Sequence, residues 1–328
     1  MRRRDFIKVL GGTAVGWPFV ARAQEAVRMR RVGMLMSTAE TDVQSMVGAG
    51  ALVRGLEERG WRLGGNVQIE YRWAAANANL YRRFAQELVT LAPDVILAVG
   101  GVGVSALQQV THTIPIVFVG TNDPIDRGLI ASIERPGGNT TGFIAFEFSI
   151  GRKWLELLKQ IAPSVSRVAV IRNPVQFSGI GLAAIEKAAP PFNVAVSPID
   201  ARGGIEMDKS ITTFARDSNG GLIVTPSPFS VFFRDQIITL ADRHKLPAVY
   251  FNRYFVDGGG LISYGPDIVE QYRGAAGYVD RILKGENPAD MPVQAPTKFE
   301  LVINLRTAKA LGITVSPTLI ASATETLQ

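Results

Sequence analysis

Cysteine is absent from the 328 residues and histidine occurs only twice. The first absence excludes disulfides, thiolate nucleophiles, iron–sulfur clusters and cysteine-based zinc sites. The second leaves His112, in the polar link THT, and His244, in DRHKLP, isolated from each other and from any Asp/Glu cluster at metal-ligand spacing. No zinc site is therefore expected, and a helix C-terminus would account for His244 through its dipole. A G-x-S-x-G nucleophile elbow is missing too, and Ser227 has no evident base, so no catalytic constellation stands out. Long apolar runs are also lacking. The stretch 9–20 falls short of the roughly 20 residues that span a bilayer, and it carries Gly11, Gly12, Gly16 and Pro18.

That short run has a context of its own. Arg2, Arg3 and Arg4 precede it and Ala21-Arg22-Ala23 ends it, an export signal with an A-x-A cleavage site. Arg3-Arg4-Asp5-Phe6-Ile7-Lys8 fits the twin-arginine consensus R-R-x-F-[LI]-K. Residues 1–23 are expected to be a twin-arginine signal peptide. The mature product is then periplasmic, with no lipoprotein anchor, because no cysteine follows the cleavage site. Cleavage removes five of the 35 basic residues and one of the 29 acidic ones, so the formal charge of +6 falls to +2, from 30 basic against 28 acidic side chains. The basic excess belongs mostly to the leader. No nucleic-acid partner and no direct membrane insertion of the mature chain are expected.

Apolar residues make up 47% of the chain and charged ones 20%, a globular composition with length for about two domains. From Arg31 onward, short β-branched runs alternate with stretches apolar at i, i+3, i+4 and i+7. The runs are 31–36, 67–73, 94–100, 114–120 and 140–146, then 167–173, 193–200, 221–226, 246–252 and 259–265. Runs apolar on both faces and bounded by Gly, Pro or Asn suit strands buried in a parallel sheet with helices on either side. Two groups of five strands predict two doubly wound α/β lobes facing one another across a cleft. The first lobe takes residues 30–147 plus a returning helix at 268–285, the second takes 148–266, and 286–328 form a C-terminal segment across the lobes. Where the strand-like FELVIN (299–304) pairs is left open, and residues after Pro317 are expected to be surface-bound or frayed.

Several long phrases resemble the TrpX-like class of ABC transporter substrate-binding proteins, the periplasmic tryptophan/tyrosine-type solute-binding proteins. They are YRW (71–73), IPIVFV (114–119), RPGGNTTG (135–142), FRDQIITLADRHKLPAVY (233–250), FVDGGGLISYG (255–265) and the stretch 281–312. The resemblance implies a type I periplasmic-binding, Venus-flytrap fold without cofactor or catalysis. Its two lobes would close on a small organic solute, an aromatic amino acid or a related small carboxylate or amide, and deliver it to an inner-membrane ABC permease. Two departures leave the solute open. Members usually follow the sixth strand with a phrase like NPNNPNA, where this chain has NPVQFSGIG (173–181), and often carry Gly where it has Asn122.

In such a fold the site lies beyond the carboxyl ends of the strands. The first lobe then offers Ser37 and Thr38, Gly101, Val102 and Ser105, and Thr121, Asn122 and Asp123. Loops leading into helix starts suit a carboxylate, through free amides and the positive dipole end. The same residue types also serve as ordinary caps and turns. GVGVSA (101–106) formally fits G-x-G-x-x-A, yet it follows the third strand rather than the first, so close backbone approach to a ligand is the better reading. The second lobe offers Asn173, Thr225 and Ser227 with Phe229, then Asn252, Arg253 and Tyr264. Arg253 is the expected two-pronged partner of a solute carboxylate. Phe146, Phe229 and Tyr264 are candidates to stack on a flat solute, or else core aromatics. A periplasmic cofactor-binding α/β enzyme and a sensory receptor feeding a membrane signalling protein are the alternatives.

Overall fold

The computed structural model describes residues 28–145, 150–174 and 179–328. The expected signal peptide at 1–23 lies outside them. The first lobe is built from β1 (Arg30–Met36), α1 (Val43–Glu57), β2 (Val67–Trp73), α2 (Ala78–Thr90), β3 (Val95–Val99), α3 (Gly101–Gln108), β4 (Ile116–Thr121) and β5 (Thr140–Ile144). All its strand pairs are parallel, in the order β2-β1-β3-β4-β5. The central strands are buried on both faces, with Val32, Met34, Leu35, Ile96, Leu97, Val117 and Phe118 wholly inaccessible. That double burial is why these runs read as continuous apolar stretches rather than alternating ones.

The second lobe comprises α4 (Ile150–Ile161), β6 (Arg167–Arg172), α5 (Gly179–Ala188), β7 (Ala195–Asp200), α6 (Gly204–Phe214), β8 (Gly220–Val224), α7 (Pro228–Phe232), α8 (Arg234–Arg243), β9 (Ala248–Tyr250), α9 (Arg253–Asp257) and β10 (Ile262–Pro266). The chain then returns to the first lobe as α10 (Ile268–Leu283). Gly48 and Gly55 of α1 let α10 approach closely. A Cβ on Gly48 would stand 2.5 Å from the Tyr272 ring, and one on Gly55 would stand 2.7 Å from the Ala276 methyl. After α10, residues 291–294 run along the edge of β5. Thr141 Oγ1 donates to the Met291 carbonyl at 2.7 Å and the Ile144 amide to the Gln294 carbonyl at 3.0 Å.

The chain re-enters the second lobe as β11 (Phe299–Asn304), followed by α11 (Leu305–Ala310), α12 (Pro317–Ser322) and β12 (Glu325–Leu327). The second sheet therefore has seven strands, in the order β12-β11-β10-β9-β8-β6-β7. Its core β7-β6-β8-β9-β10 repeats the order of the first sheet. β11, whose pairing the sequence leaves open, lies antiparallel on β10. It arrives from the hinge side, where Phe299 pairs with Pro266 at the carboxyl end of β10, so it can only run antiparallel. The segment after Pro317 is not frayed in the structure. Ser316 caps α12, Leu319 is buried at 3% exposure and β12 completes the sheet.

Candidate functional site

In each sheet the strand order reverses beside its first strand, between β1 and β3 and between β6 and β8. Loops leaving such neighbours diverge to opposite faces and open a crevice at their carboxyl ends. The two crevices face each other and form a cleft of about 790 Å³, partly open to solvent. The first lobe lines it with Ser37, Val99, Gly100, Gly101, Val102, Gly120, Asn122, Arg127 and Ala145. The second contributes Pro226, Ser227, Pro228, Val231, Phe251, Asn252, Tyr254 and Pro266, and α10 contributes Ile268 and Gln271.

The polar end is in the first lobe. α3 begins at Gly101 with no side-chain cap, because Gly100 has none to offer. Its first-turn amides point where an anion is favoured by the helix dipole. Arg127 lies beside this turn, with its Cδ 3.4 Å and its Nε 3.6 Å from where a Gly101 Cβ would stand. Thr121 is wholly buried at the end of β4, and its hydroxyl has no hydrogen-bond partner among the described residues. The apolar wall comes from the second lobe, where Phe251 and Tyr254 meet edge to face with centroids 5.8 Å apart. Burial pushes the Tyr254 hydroxyl well above its ordinary pKa. The Asp42 carboxylate adds to that and Arg234 opposes it, so the phenol stays neutral.

Among the described residues, contacts already span the cleft. Asn122 Nδ2 donates to the Pro226 carbonyl at 3.4 Å. At the rim, Arg234 at the start of α8 pairs with Asp42 at 3.4 Å and lies 5.8 Å from the Tyr254 ring centroid. Asp42 serves both lobes at once, since its other oxygen caps α1 through the Ser45 amide at 2.8 Å.

Of the residues expected from sequence, the structure brings Ser37, Gly101, Val102, Asn122, Ser227 and Asn252 to the cleft wall. Ser227 and Asn252 double as caps of α7 and α9. Thr38, Thr121 and Asn173 are buried at neighbouring strand ends. Thr38 donates to Ser45 Oγ at 2.7 Å, and Asn173 donates to the Ala201 carbonyl at 3.2 Å. Ser105 sits a turn into α3, and Asp123 takes a left-handed turn conformation at φ 53°. Thr225 is turned into its own lobe and donates to the Ile171 carbonyl at 2.8 Å. Phe229 is a core residue packed on Phe233 at 4.8 Å between centroids, and Tyr264 stacks on Phe299 at 5.4 Å. Phe146 lies outside the described residues.

Arg253 is the clearest correction. It is absent from the cleft wall and instead pairs with Glu325 at 2.8 Å, Asp257 at 3.5 Å and Glu300 at 3.7 Å. Its carboxylate partners are side chains of this chain, two of them on β11 and β12. Arg127 is the guanidinium that reaches the cleft. It lies four residues beyond Asp123 in TNDPIDRG, past the residues that the strand-end rule singles out. Gln271 carries a single signal in the sequence, a polar residue on the buried side of the returning helix.

Among the described residues no group of three or more His, Asp or Glu converges as a metal site, and no helix is long and apolar enough to cross a membrane. The G-x-G-x-x-A stretch places Gly101 in the cleft and Gly103 against Leu35 and Tyr81 in the core, which is a helix start packed on its sheet.

Residues 35–327 match the family described as ABC transporter substrate binding protein. A curated tyrosine-binding protein from Clostridioides difficile (strain R20291) is 26% identical over 263 residues, covering 80% of this chain and 75% of its own. A solved conserved domain protein from Vibrio cholerae superposes with a TM-score of 0.85 at 26% identity, covering 91% of this chain and 100% of the other. An ABC domain from Streptococcus pneumonia in complex with L-Trp shares the fold with a TM-score of 0.84 at 20% identity, over 91% and 100% of the two chains. The family match runs from the first strand to the last, and a cleft lies between the two lobes. The chain belongs to the ABC transporter substrate-binding proteins, a family of solute receptors rather than of enzymes.

Proposed function

We propose that this protein is the periplasmic receptor of an ABC importer, and that its cleft takes an aromatic amino acid or a closely related aromatic carboxylate for delivery to a membrane permease. The observation that carries the reading is the division of the cleft. The uncapped start of α3 and the Arg127 guanidinium occupy one side, and Pro226, Val231, Phe251 and Tyr254 face them from the other lobe. A carboxylate on a flat apolar body satisfies both halves only when the lobes are together, which is the differential binding that drives closure. The tyrosine-binding relative and the Trp-bound fold neighbour support the same solute class. The leader residues Arg3 and Arg4 support export by the twin-arginine route.

Magnitudes agree with this division. A flat side chain that buries about 200 Å² of apolar area gains roughly 5 kcal/mol at about 25 cal/mol per Å². Micromolar binding needs about 8 kcal/mol. The polar end must therefore supply the difference and offset the cost of ordering. Thermal unfolding of the mature protein with Trp, Tyr, Phe, Leu, Ala and aromatic acids tests the reading. A true ligand at a hundred times its dissociation constant adds about 2.7 kcal/mol of stability. Shifts confined to aromatic carboxylates support the proposal. A response to aliphatic solutes alone, or turnover of the solute, overturns it.

A further inference from the structure

Gln271 lies on α10, is 4% exposed and lines both the interlobe cleft and a second groove at the hinge, which Phe143, Asp267 and Lys298 also border. Its Nε2 donates to the Ile144 carbonyl at 2.8 Å. A carbonyl accepts only from N–H, so this bond fixes which end of the amide is nitrogen. Oε1 is then an acceptor, buried and without a hydrogen-bond partner among the described residues. Buried acceptors are ordinarily satisfied, so one left open beside a ligand cleft points to a donor that arrives with the ligand.

The connections of Gln271 also reach the hinge. Ile144 is the last residue of β5, just before the chain leaves the first lobe. Its amide donates to the Gln294 carbonyl, on the segment about to return to the second lobe. Gln271 itself follows Pro266 and Asp267, where the chain passes back. One residue, Ile144, accepting through its carbonyl and donating through its amide, thus joins the Gln271 side chain to the segments that connect the lobes.

We infer that Gln271 is a specificity-determining residue of the cleft, whose Oε1 accepts a hydrogen bond from the amino group of the solute while its Nε2 ties that contact to the hinge. This rests on the aromatic-carboxylate reading of the cleft and adds to it a donor-bearing end, so that a solute with an amino group is preferred over its deaminated counterpart. A neutral amide oxygen suffices for an ammonium whose charge is balanced within the same zwitterion.

The experiment measures affinity by isothermal titration for L-tryptophan and for indole-3-propionate, which keeps the ring and the carboxylate and lacks the amino group. The wild-type protein, Gln271→Met and Gln271→Glu are compared, with unliganded unfolding midpoints as a check on folding. Gln271→Met is expected to weaken L-tryptophan about 10- to 100-fold, the loss associated with an unmade hydrogen bond to a charged group, and to leave indole-3-propionate within about twofold. Gln271→Glu, which keeps an acceptor oxygen, is expected to retain the preference for the amino acid. If both ligands lose affinity equally in both variants, Gln271 is structural and the inference falls. If wild-type protein binds indole-3-propionate as tightly as L-tryptophan, the inference also falls while the aromatic-carboxylate reading stands. If it binds neither, the reading beneath both is wrong.

Discussion

Replacing Arg127 with methionine tests the polar half of the cleft directly. Methionine keeps an unbranched stem to pack beside Gly101 and removes only the charge and its donors. A hydrogen bond to a charged group contributes about 1.5–3 kcal/mol. At about 1.4 kcal/mol per tenfold, the dissociation constant of an aromatic amino acid should rise about 10- to 140-fold. Phe251 and Tyr254 at the opposite wall are untouched, so binding is expected to weaken without vanishing. Isothermal titration should be run with L-tryptophan and with L-tryptophanamide, whose carboxyl end is uncharged. The amide should lose little, because the interaction removed was with the carboxylate. If the variant binds the amino acid within about twofold of wild type, or if the amide loses affinity by the same factor, Arg127 does not read the carboxylate and the assignment of the α3 turn as an anion site is refuted.

The rim pair is expected to favour the closed arrangement modestly. Asp42→Asn keeps an α1 cap, Arg234→Met keeps the side chain's length, and each should weaken solute binding about two- to fivefold, with the double variant no worse than the weaker single. Additive losses in a titration series would show that the two side chains do not act together. Gly265→Ala places a Cβ 1.7 Å from the Phe251 carbonyl oxygen, which belongs to backbone and cannot swing away. The unfolding midpoint should fall by roughly 6–12 °C, corresponding to about 3 kcal/mol, and an unchanged midpoint would contradict the close approach of β10 to the cleft wall. Burial pushes the Asp267 carboxyl up, but the Lys298 ammonium at 2.8 Å and the amides of Glu270 and Val269 outweigh it and hold it below the usual carboxylate range. A group depressed in the folded state stabilises fully above its unfolded pKa and loses that contribution as pH falls through its folded one. Denaturant midpoints of wild type should therefore drop more steeply than those of Asp267→Asn as pH falls below about 4, and parallel curves would exclude the hinge pair as a source of acid sensitivity. Changing Arg3 and Arg4 together to lysine should leave the unprocessed chain in the cytoplasm, and periplasmic recovery in cell fractions equal to wild type would remove the export assignment.

The central strands were legible because burial on both faces demands an unbroken apolar run, whereas the edge strands β2 and β7 are largely half-buried or exposed. Each of the ten runs read from the sequence overlaps one of the strands β1–β10. The short FELVIN run was equally apolar, yet its direction depended on where α10 delivered the chain. Gly101, Val102 and Asn122 could be found because strand ends in a doubly wound sheet are where ligands sit.

Choosing among chemically equivalent side chains was a different matter. Arg127 and Arg253 both follow strand ends, and both carry a fork suited to a carboxylate. Glu300 and Glu325, from strands at the far end of the chain, engage Arg253, whereas Arg127 lies beside the α3 turn. Phe229 and Tyr264 likewise have the ring that a stacking role needs, but they pack on Phe233 and Phe299 away from the cleft, while Phe251 and Tyr254, which pack on Phe255, also line its wall.

Local sequence, then, determined the strands, the pairing of two similar lobes and the end of each sheet at which a solute would sit, because periodicity and turn chemistry act over a few residues. Tertiary structure alone decided which guanidinium faces the cleft, which aromatics are spent on the core, and that Gln271 arrives from a helix more than 100 residues beyond the β5 carbonyl it grips. Those outcomes depend on partners brought together across the whole chain, and no window of sequence contains both members of such a pair.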